Sequence, residues 1–175
     1  MTARITALLL FLLFMSSAVL SYDAHHMEIL LQGKNAWNEW RMKNQQLKPD
    51  LSSADLRGKN LSGYNFNETD LSKARLTGAK LVSARFQQAS LREADLSNAD
   101  LRQAQFWQTN MVKTNFTCAN LSRAELPSLY VKDTVFRDAR MDRAVIPGQY
   151  KSYFRKQRVR GYRKIIWQDE DYGGM

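Results

Sequence analysis

The sequence contains little of the chemistry on which most catalytic and metal sites depend. Cysteine occurs once, as Cys118, so the chain can form neither an intrachain disulfide nor a cysteine-based zinc site. The two histidines, His25 and His26, are adjacent and cannot form the i, i+4 pair of a helical metal site. No later histidine is present to activate a serine or threonine, and no glycine-rich phosphate-binding loop occurs. These absences argue against an enzyme and predict no cofactor or metal.

Long apolar runs are also scarce, and the one near the N-terminus is short. Arg4 precedes an apolar run over residues 5–15, and small residues follow at 16–18. This layout is typical of a secretory signal peptide, which we predict over residues 1–21. An uncleaved inner-membrane anchor is the alternative, but the run is shorter than the roughly 20 apolar residues that span a bilayer. The sequence therefore predicts an exported protein, either periplasmic or secreted.

Apolar residues occupy every fifth position along most of the chain, from Leu51 to Ile146, without exception. This period matches neither the 3.6 of an α-helix nor the 2 of a plain strand, and it indicates a repeat solenoid. Solenoids present extended faces to partners, so the repeat favours binding over catalysis. The positions are Leu51, Leu56, Leu61, Phe66, Leu71, Leu76, Leu81, Phe86, Leu91, Leu96, Leu101, Phe106, Met111, Phe116, Leu121, Leu126, Val131, Phe136, Met141 and Ile146.

The residues between these positions predict a coil with corners. Two positions before most of the apolar residues stands a small residue, usually alanine, so both side chains face inward with an outward one between them. The two positions that follow are mostly polar and suit an exposed corner. Phenylalanine recurs at a spacing of twenty, at Phe66, Phe86 and Phe106, which indicates four pentapeptides per turn. We therefore predict an all-β solenoid of about five turns over residues 49–148.

Two stretches of sequence carry a family resemblance. The runs ADLSNADLRQAQF and LSSADLRGKNLSGYNF resemble the pentapeptide-repeat family, whose consensus is A(D/N)LXX. The resemblance implies a right-handed quadrilateral β-helix. The stretch LLQGKNAWNEWRMKN is similar to the short N-terminal helix that commonly precedes such repeats.

The resemblance also raises one specific function, mimicry of duplex DNA to protect or inhibit DNA gyrase. Such a mimic requires a strongly negative rod in the cytoplasm. Here residues 49–148 contain fourteen basic and eleven acidic residues, and the leader predicts export. Both features disfavour this alternative.

The ends of a solenoid need caps, because each end exposes apolar core and unpaired strand edges. Residues 22–48 place apolar side chains, including Trp37 and Trp40, at approximately helical spacing and predict an N-terminal capping helix. Residues 149–175 mix aromatic with basic residues and contain seven basic against three acidic side chains. They predict a partly helical C-terminal cap, broken near Gly161, with an aromatic side on the last turn.

The basic and aromatic tail supplies the candidate contact residues for a partner or an anionic surface. The leading interpretation is a non-enzymatic rigid surface or scaffold for a protein or envelope component. Alternatives are a solvated cap face, attachment to an anionic membrane surface, and a homodimer through the C-terminal cap, which the resemblance implies; nucleic acid is disfavoured by the predicted export. The candidates are Arg155, Lys156, Arg158, Arg160, Arg163, Lys164 and Trp167.

Overall fold

The computed structural model describes residues 22–127 and 129–168 of the 175-residue chain, with only the backbone described at Leu129. The predicted signal peptide, residues 1–21, lies outside the described residues. From residue 50 onward the chain winds so that outward residues pair in parallel with residues twenty positions later, from Asp50 with Asp70 to Glu125 with Val145. The result is the right-handed quadrilateral β-helix that the resemblance implied.

Regular strands are short because each wall pairs through one or two residues before the chain turns a corner. Strand β1 (Thr109–Asn110) pairs in parallel with β2 (Leu129–Tyr130), and β3 (Val145–Pro147) pairs with β4 (Ile166–Gln168). The other walls are joined by isolated bridges.

The inward apolar residues form one column on each of the four walls. None of the twenty is more than 8% exposed, which confirms the inward positions predicted from the period of five. The columns are Leu51, Leu71, Leu91, Met111 and Val131 on the first wall; Leu56, Leu76, Leu96, Phe116 and Phe136 on the second; Leu61, Leu81, Leu101, Leu121 and Met141 on the third; and Phe66, Phe86, Phe106, Leu126 and Ile146 on the fourth.

The corners of the coil are tight turns with a left-handed residue at the second position, wherever the structure describes that residue. In the first corner, the backbone N–H of Ala54 donates to the Leu51 carbonyl across Ser53, whose φ is 56°. The N–H of Ser53 donates to Ser72 in the next coil at 2.7 Å. The described non-glycine residues at this position of the coil have φ between 53° and 62°. Left-handed backbone costs roughly 1–2 kcal/mol per residue, and the inter-coil hydrogen bonds offset that cost.

The N-terminal segment predicted as one helix over 22–48 consists of two helices. Helix α1 (Ala24–Leu31) is capped by Asp23, whose carboxylate accepts from the backbone of His25 and His26. Helix α2 (Lys34–Lys43) follows after Gly33, whose φ of 110° ends the first helix and reverses the chain. A single helix was the wrong expectation because glycine at this point favours a break.

Side chains of α2 occupy the hydrogen-bonding positions that a lower coil would fill. Trp37 Nε1 donates to the Asn65 carbonyl at 2.8 Å, and Arg41 Nη2 donates to the Asn67 carbonyl at 2.8 Å. Asn38 accepts from the Asn65 N–H at 2.9 Å. Trp37 is fully buried against Phe66, with 5.9 Å between ring centroids. The first coil is therefore covered by both apolar and polar contacts.

The C-terminal segment combines one short helix with part of a further coil. Helix α3 (Lys151–Lys156) buries Phe154 over the last core residues, 4.9 Å from Phe136 between ring centroids. The chain then stacks Arg160 on Arg140 at the usual spacing of twenty. After a 3-10 turn (Tyr162–Lys164), strand β4 pairs with β3 at a spacing of 21, so that corner is one residue longer.

The helices of residues 22–127 and 129–168 are all short. The longest has ten residues, and none combines the length and apolarity needed to cross a bilayer.

Candidate functional site

A cluster of basic side chains gathers where the third wall meets the fourth near the C-terminal end. We call Arg123, Arg140, Arg143, Arg160 and Lys164 the basic corner. Arg123 and Arg143 are twenty residues apart and hold the same left-handed corner position, with φ of 62° and 58°. Arg140 and Arg160 point outward from the third wall as a parallel pair. Adjacent strands lie about 4.8 Å apart, so the five cations are brought close together.

The backbone of the basic corner is fixed by hydrogen bonds between three successive coils. The Arg123 N–H donates to the Asp142 carbonyl at 2.9 Å, and the Arg143 N–H donates to the Lys164 carbonyl at 3.0 Å. The Met141 N–H likewise donates to Arg160 at 2.9 Å. The backbone positions that carry these cations are therefore set by the coil itself and not by a free loop.

One carboxylate, Asp142, orients two of these cations. Its Oδ2 accepts from Arg140 Nε at 2.6 Å, and its Oδ1 lies 3.4 Å from Lys164 Nζ. The hydrogen bond from Arg140 holds the pKa of Asp142 below its usual value, and the Lys164 charge acts in the same direction. Asp142 therefore stays ionised, and the basic corner has five positive charges beside one negative charge.

A cavity of about 280 Å³ opens at the basic corner and is lined only by polar and charged residues. Within the described parts of the chain, the side chains of Arg123, Arg143 and Arg160 have no hydrogen-bonding or ion-pairing partner, and all three are exposed. Their guanidinium donors are therefore available to an external anion. The lining residues are Ser122, Arg123, Arg140, Asp142, Arg143 and Lys164.

The seven candidates predicted from the tail do not form one surface. Arg160 and Lys164 lie in the basic corner. Arg155 and Lys156 are exposed on α3, and Arg158 is exposed in left-handed backbone, with a φ of 54°, one coil above Asp138.

The remaining two candidates, Arg163 and Trp167, differ in exposure. Arg163 is exposed in the 3-10 turn. Trp167 is half-buried against Tyr162 and Phe154, with ring centroids 5.5 and 6.4 Å away. Its ring therefore belongs to the packing of the C-terminal cap, and Lys151 Nζ lies 5.9 Å from its centroid.

Three members of the basic corner, Arg123, Arg140 and Arg143, were missed by sequence reasoning. They lie within the repeats and look like ordinary corner and wall residues when the chain is read linearly. They can be located in the sequence from the period of twenty, which places Arg123 next to Arg143 and Arg140 next to Arg160 in successive coils.

The part of the chain that the structure describes offers no group of three or more His, Cys, Asp or Glu side chains placed to hold a metal ion.

Comparison with protein families gives one match. The family model of pentapeptide repeats matches the chain in 8 copies, over residues 50–81, 79–117 and 89–126. No curated protein matches the sequence.

Several solved structures are similar to this one. A pentapeptide repeat protein from the thylakoid lumen of Arabidopsis thaliana is 36% identical, with 61% of this chain and 74% of that chain covered and a TM-score of 0.59. HetL from Nostoc sp. strain PCC 7120, a pentapeptide repeat protein involved in heterocyst differentiation regulation, is 30% identical over 54% of this chain and 52% of its own, with a TM-score of 0.22. QnrB1, a plasmid-mediated fluoroquinolone resistance protein, is 14% identical, with 74% of this chain and 71% of that chain covered and a TM-score of 0.34.

Proposed function

Since this chain belongs to the pentapeptide-repeat family, we propose that it is a non-enzymatic, exported interaction protein that binds an acidic protein or envelope component through its basic corner. In this proposal the rod has about five turns, with a helical N-terminal cap and a partly helical C-terminal cap. The observation that carries it is the clustering of Arg123, Arg140, Arg143, Arg160 and Lys164 around one carboxylate.

The charge pattern of the basic corner supports a binding role. Several arginines elsewhere on the coil are paired with a nearby carboxylate, as Arg57 is with Asp55 and Arg102 with Asp100. Unmatched cations in a rigid frame attract an oppositely charged partner and set its orientation. A rigid frame also lowers the entropy lost on association.

Export is supported by the leader predicted over residues 1–21 and is compatible with the thylakoid-lumen location of the similar Arabidopsis protein. Mass spectrometry of the N-terminus in cell fractions tests this part of the proposal. A mature chain that begins near residue 22 in an exported fraction supports it. An intact N-terminus in the cytoplasm contradicts it.

Binding is tested by capture of partners from an envelope extract with the wild-type chain and two matched variants. The first variant, Arg123→Gln/Arg143→Gln, removes two charges from the basic corner. The second, Lys73→Gln/Lys113→Gln, removes two charges from the same left-handed position at the diagonally opposite corner. Glutamine already occupies this position at Gln88, Gln103 and Gln108, so both variants suit the backbone.

We expect the first variant to lose a partner that the wild type and the second variant retain. We also expect the capture to weaken as salt is raised, because exposed charges are screened beyond a Debye length of about 8–10 Å. Equal capture by both variants would contradict a role for the basic corner.

A homodimer through the C-terminal cap is a second candidate. It is favoured by Ile166, which is 51% exposed in the terminal strand β4. Light scattering at low and high salt distinguishes it from attachment to an anionic membrane through Arg155 and Lys156. Association through apolar contacts should survive high salt, whereas attachment to anionic lipid should weaken.

A further inference from the structure

We infer that the cavity of the basic corner binds a phosphate group, either free or at the end of a lipid headgroup. This inference rests on the proposed function and names the chemistry of the anion that the site accepts. Four features of the cavity support it: its donors, its charge, its size and its rigidity.

The donors are arranged for an anion with several oxygens. Arg123 and Arg143 have no partner within the described residues and come from adjacent coils on one edge of the cavity. Arg140 uses Nε to bind Asp142, which leaves its two terminal nitrogens available. Guanidinium groups bind phosphate in a bidentate manner, and three of them can share the oxygens of one phosphate.

The charge of the lining favours a dianion. The cavity has four cations, Arg123, Arg140, Arg143 and Lys164, and one carboxylate, Asp142. A phosphate monoester has a charge of about −1.5 to −2 at neutral pH. Such a group offsets most of the excess of three positive charges, whereas a single carboxylate leaves most of it unpaired.

The size and lining of the cavity favour a small, polar ligand. Its volume of about 280 Å³ is below the roughly 300–1,000 Å³ that is usual for sites of drug-sized molecules. No aromatic or aliphatic residue is among the lining residues, so there is no surface on which a nucleobase would stack. These features favour the phosphate group itself over a nucleotide or nucleic acid.

The backbone around the cavity is fixed by hydrogen bonds between coils, and Asp142 is closely packed against Gly161. Gly161, with a φ of 75°, lies directly over Asp142, and a Cβ at that position would come within 2.8 Å of Asp142 Oδ1. Asp142 is thereby held where it orients Arg140 and Lys164. A site arranged in advance loses less free energy on binding.

The first experiment measures binding of inorganic phosphate to the full-length chain by calorimetry at about pH 8, where phosphate is mainly a dianion. We expect saturable binding that becomes about tenfold weaker or more in Arg123→Gln/Arg143→Gln, because the substitutions remove two guanidinium groups that would pair with the phosphate. The matched variant Lys73→Gln/Lys113→Gln should remain within about twofold of wild type, because exposed charges outside the site contribute little.

The second experiment measures sedimentation with phosphatidylcholine vesicles that contain phosphatidic acid. Vesicles with phosphatidylglycerol at equal surface charge serve as the comparison, because that lipid presents a phosphodiester in place of a monoester. All variants retain residues 1–21, so any membrane affinity of that segment is the same in each. We expect the basic-corner variant to lose its preference for phosphatidic acid.

The outcomes separate the sources of phosphate and the two proposals. A specific loss of inorganic phosphate binding identifies a free phosphate group, and a specific loss seen only on vesicles identifies a lipid headgroup. The inference is overturned if the two variants behave alike with both probes. If they behave alike here but differ in capture of a partner, the proposed function stands and the phosphate chemistry is wrong.

Discussion

Phe86 and Phe106 lie one coil apart on the fourth wall with their rings nearly parallel, 5.1 Å between centroids and 4° between planes. Phe66 continues the stack below, 5.4 Å from Phe86. All three side chains are fully buried. Such pairs contribute about 0.5–1.5 kcal/mol beyond the burial of their surface, so this column joins three coils by more than backbone hydrogen bonds.

Replacing the middle ring should destabilise the rod strongly. We expect Phe86→Ala to lower the free energy of unfolding by about 3–5 kcal/mol, because a fully packed core cannot close over the lost ring. Phe86→Leu should cost less, about 1–1.5 kcal/mol, since Leu126 occupies the same column two coils above. Guanidinium chloride unfolding measures both. A cost below about 1 kcal/mol for the alanine variant would contradict this account of the core.

The buried threonines contribute hydrogen bonds between coils. Thr114 Oγ1 donates to the Leu91 carbonyl at 2.7 Å, whereas Thr69 Oγ1, in the first coil, lies 3.4 Å from the Asn67 carbonyl. We expect Thr114→Ala to lower the free energy of unfolding by about 1 kcal/mol. Thr69→Ala should lower it by less, because the hydrogen bond of Thr69 is long. Alanine fits this position elsewhere in the coil, so the comparison isolates the hydroxyl. Equal costs in thermal unfolding would argue against the inter-coil bond.

The N-terminal cap should depend on the indole N–H of Trp37. Trp37→Phe preserves a ring but leaves the Asn65 carbonyl without that donor, and we expect a cost of about 1–3 kcal/mol. Met42→Ala in the same helix is the control, because Met42 is 69% exposed and should change stability by less than about 0.5 kcal/mol. Hydrogen exchange of the first coil should rise in the Trp37 variant alone. If hydrogen exchange of the first coil is unchanged in the Trp37 variant, the indole hydrogen bond does not protect the backbone amides of that coil.

Asp55 should titrate at low pH. Its hydrogen bonds from the Arg57 side chain lower its pKa from 3.8 to about 2. Because the folded-state pKa is lowered, the stabilising contribution of Asp55 is present above 3.8 and is lost as the pH falls toward about 2. Carboxyl NMR titration measures the pKa directly. Arg57→Gln should raise it toward 3.8, whereas Arg92→Gln, in a different ion pair, should leave it unchanged.

Gly161 and Gly78 provide a matched pair for the packing around Asp142. Both have left-handed backbone, with φ of 75° and 67°, but a Cβ at Gly78 meets nothing within 4 Å. We expect Gly78→Ala to cost about 1–2 kcal/mol through backbone strain alone. Gly161→Ala should cost about 1–3 kcal/mol more, because the new methyl group overlaps Asp142. Denaturant unfolding measures both variants. If the two substitutions lower the free energy of unfolding equally, Asp142 can shift without cost to make room for the methyl group.

The inward columns could be predicted from the sequence because the repeat places Leu56 and its equivalents in the same environment in every coil. The left-handed corners were not predicted, since residues such as Lys73 and Glu93 have no intrinsic preference for that conformation. The contacts of the N-terminal cap were also beyond prediction. Trp37 meets Asn65 only because the two-helix turn at Gly33 directs α2 under the first coil.

The site was predictable in part. The basic composition of the tail selected Arg160 and Lys164, which lie in the basic corner, and also Trp167, whose ring packs against Tyr162. An aromatic residue in a basic segment is compatible with either role until its neighbours in space are known. Arg123 and Arg143 required the period of twenty to be applied to surface positions as well as to the core.

The pairing of Val145 with Ile166 at a spacing of 21 has a consequence for growth of the rod. A stack of identical coils exposes strand edges onto which further strands can add, and fibrils elongate in this way. The longer final turn folds Tyr162 across the end, where its hydroxyl donates to the Lys151 carbonyl at 3.1 Å. The spacing at this end therefore differs from that of the coils below it, and we expect in-register stacking of many molecules to be disfavoured there.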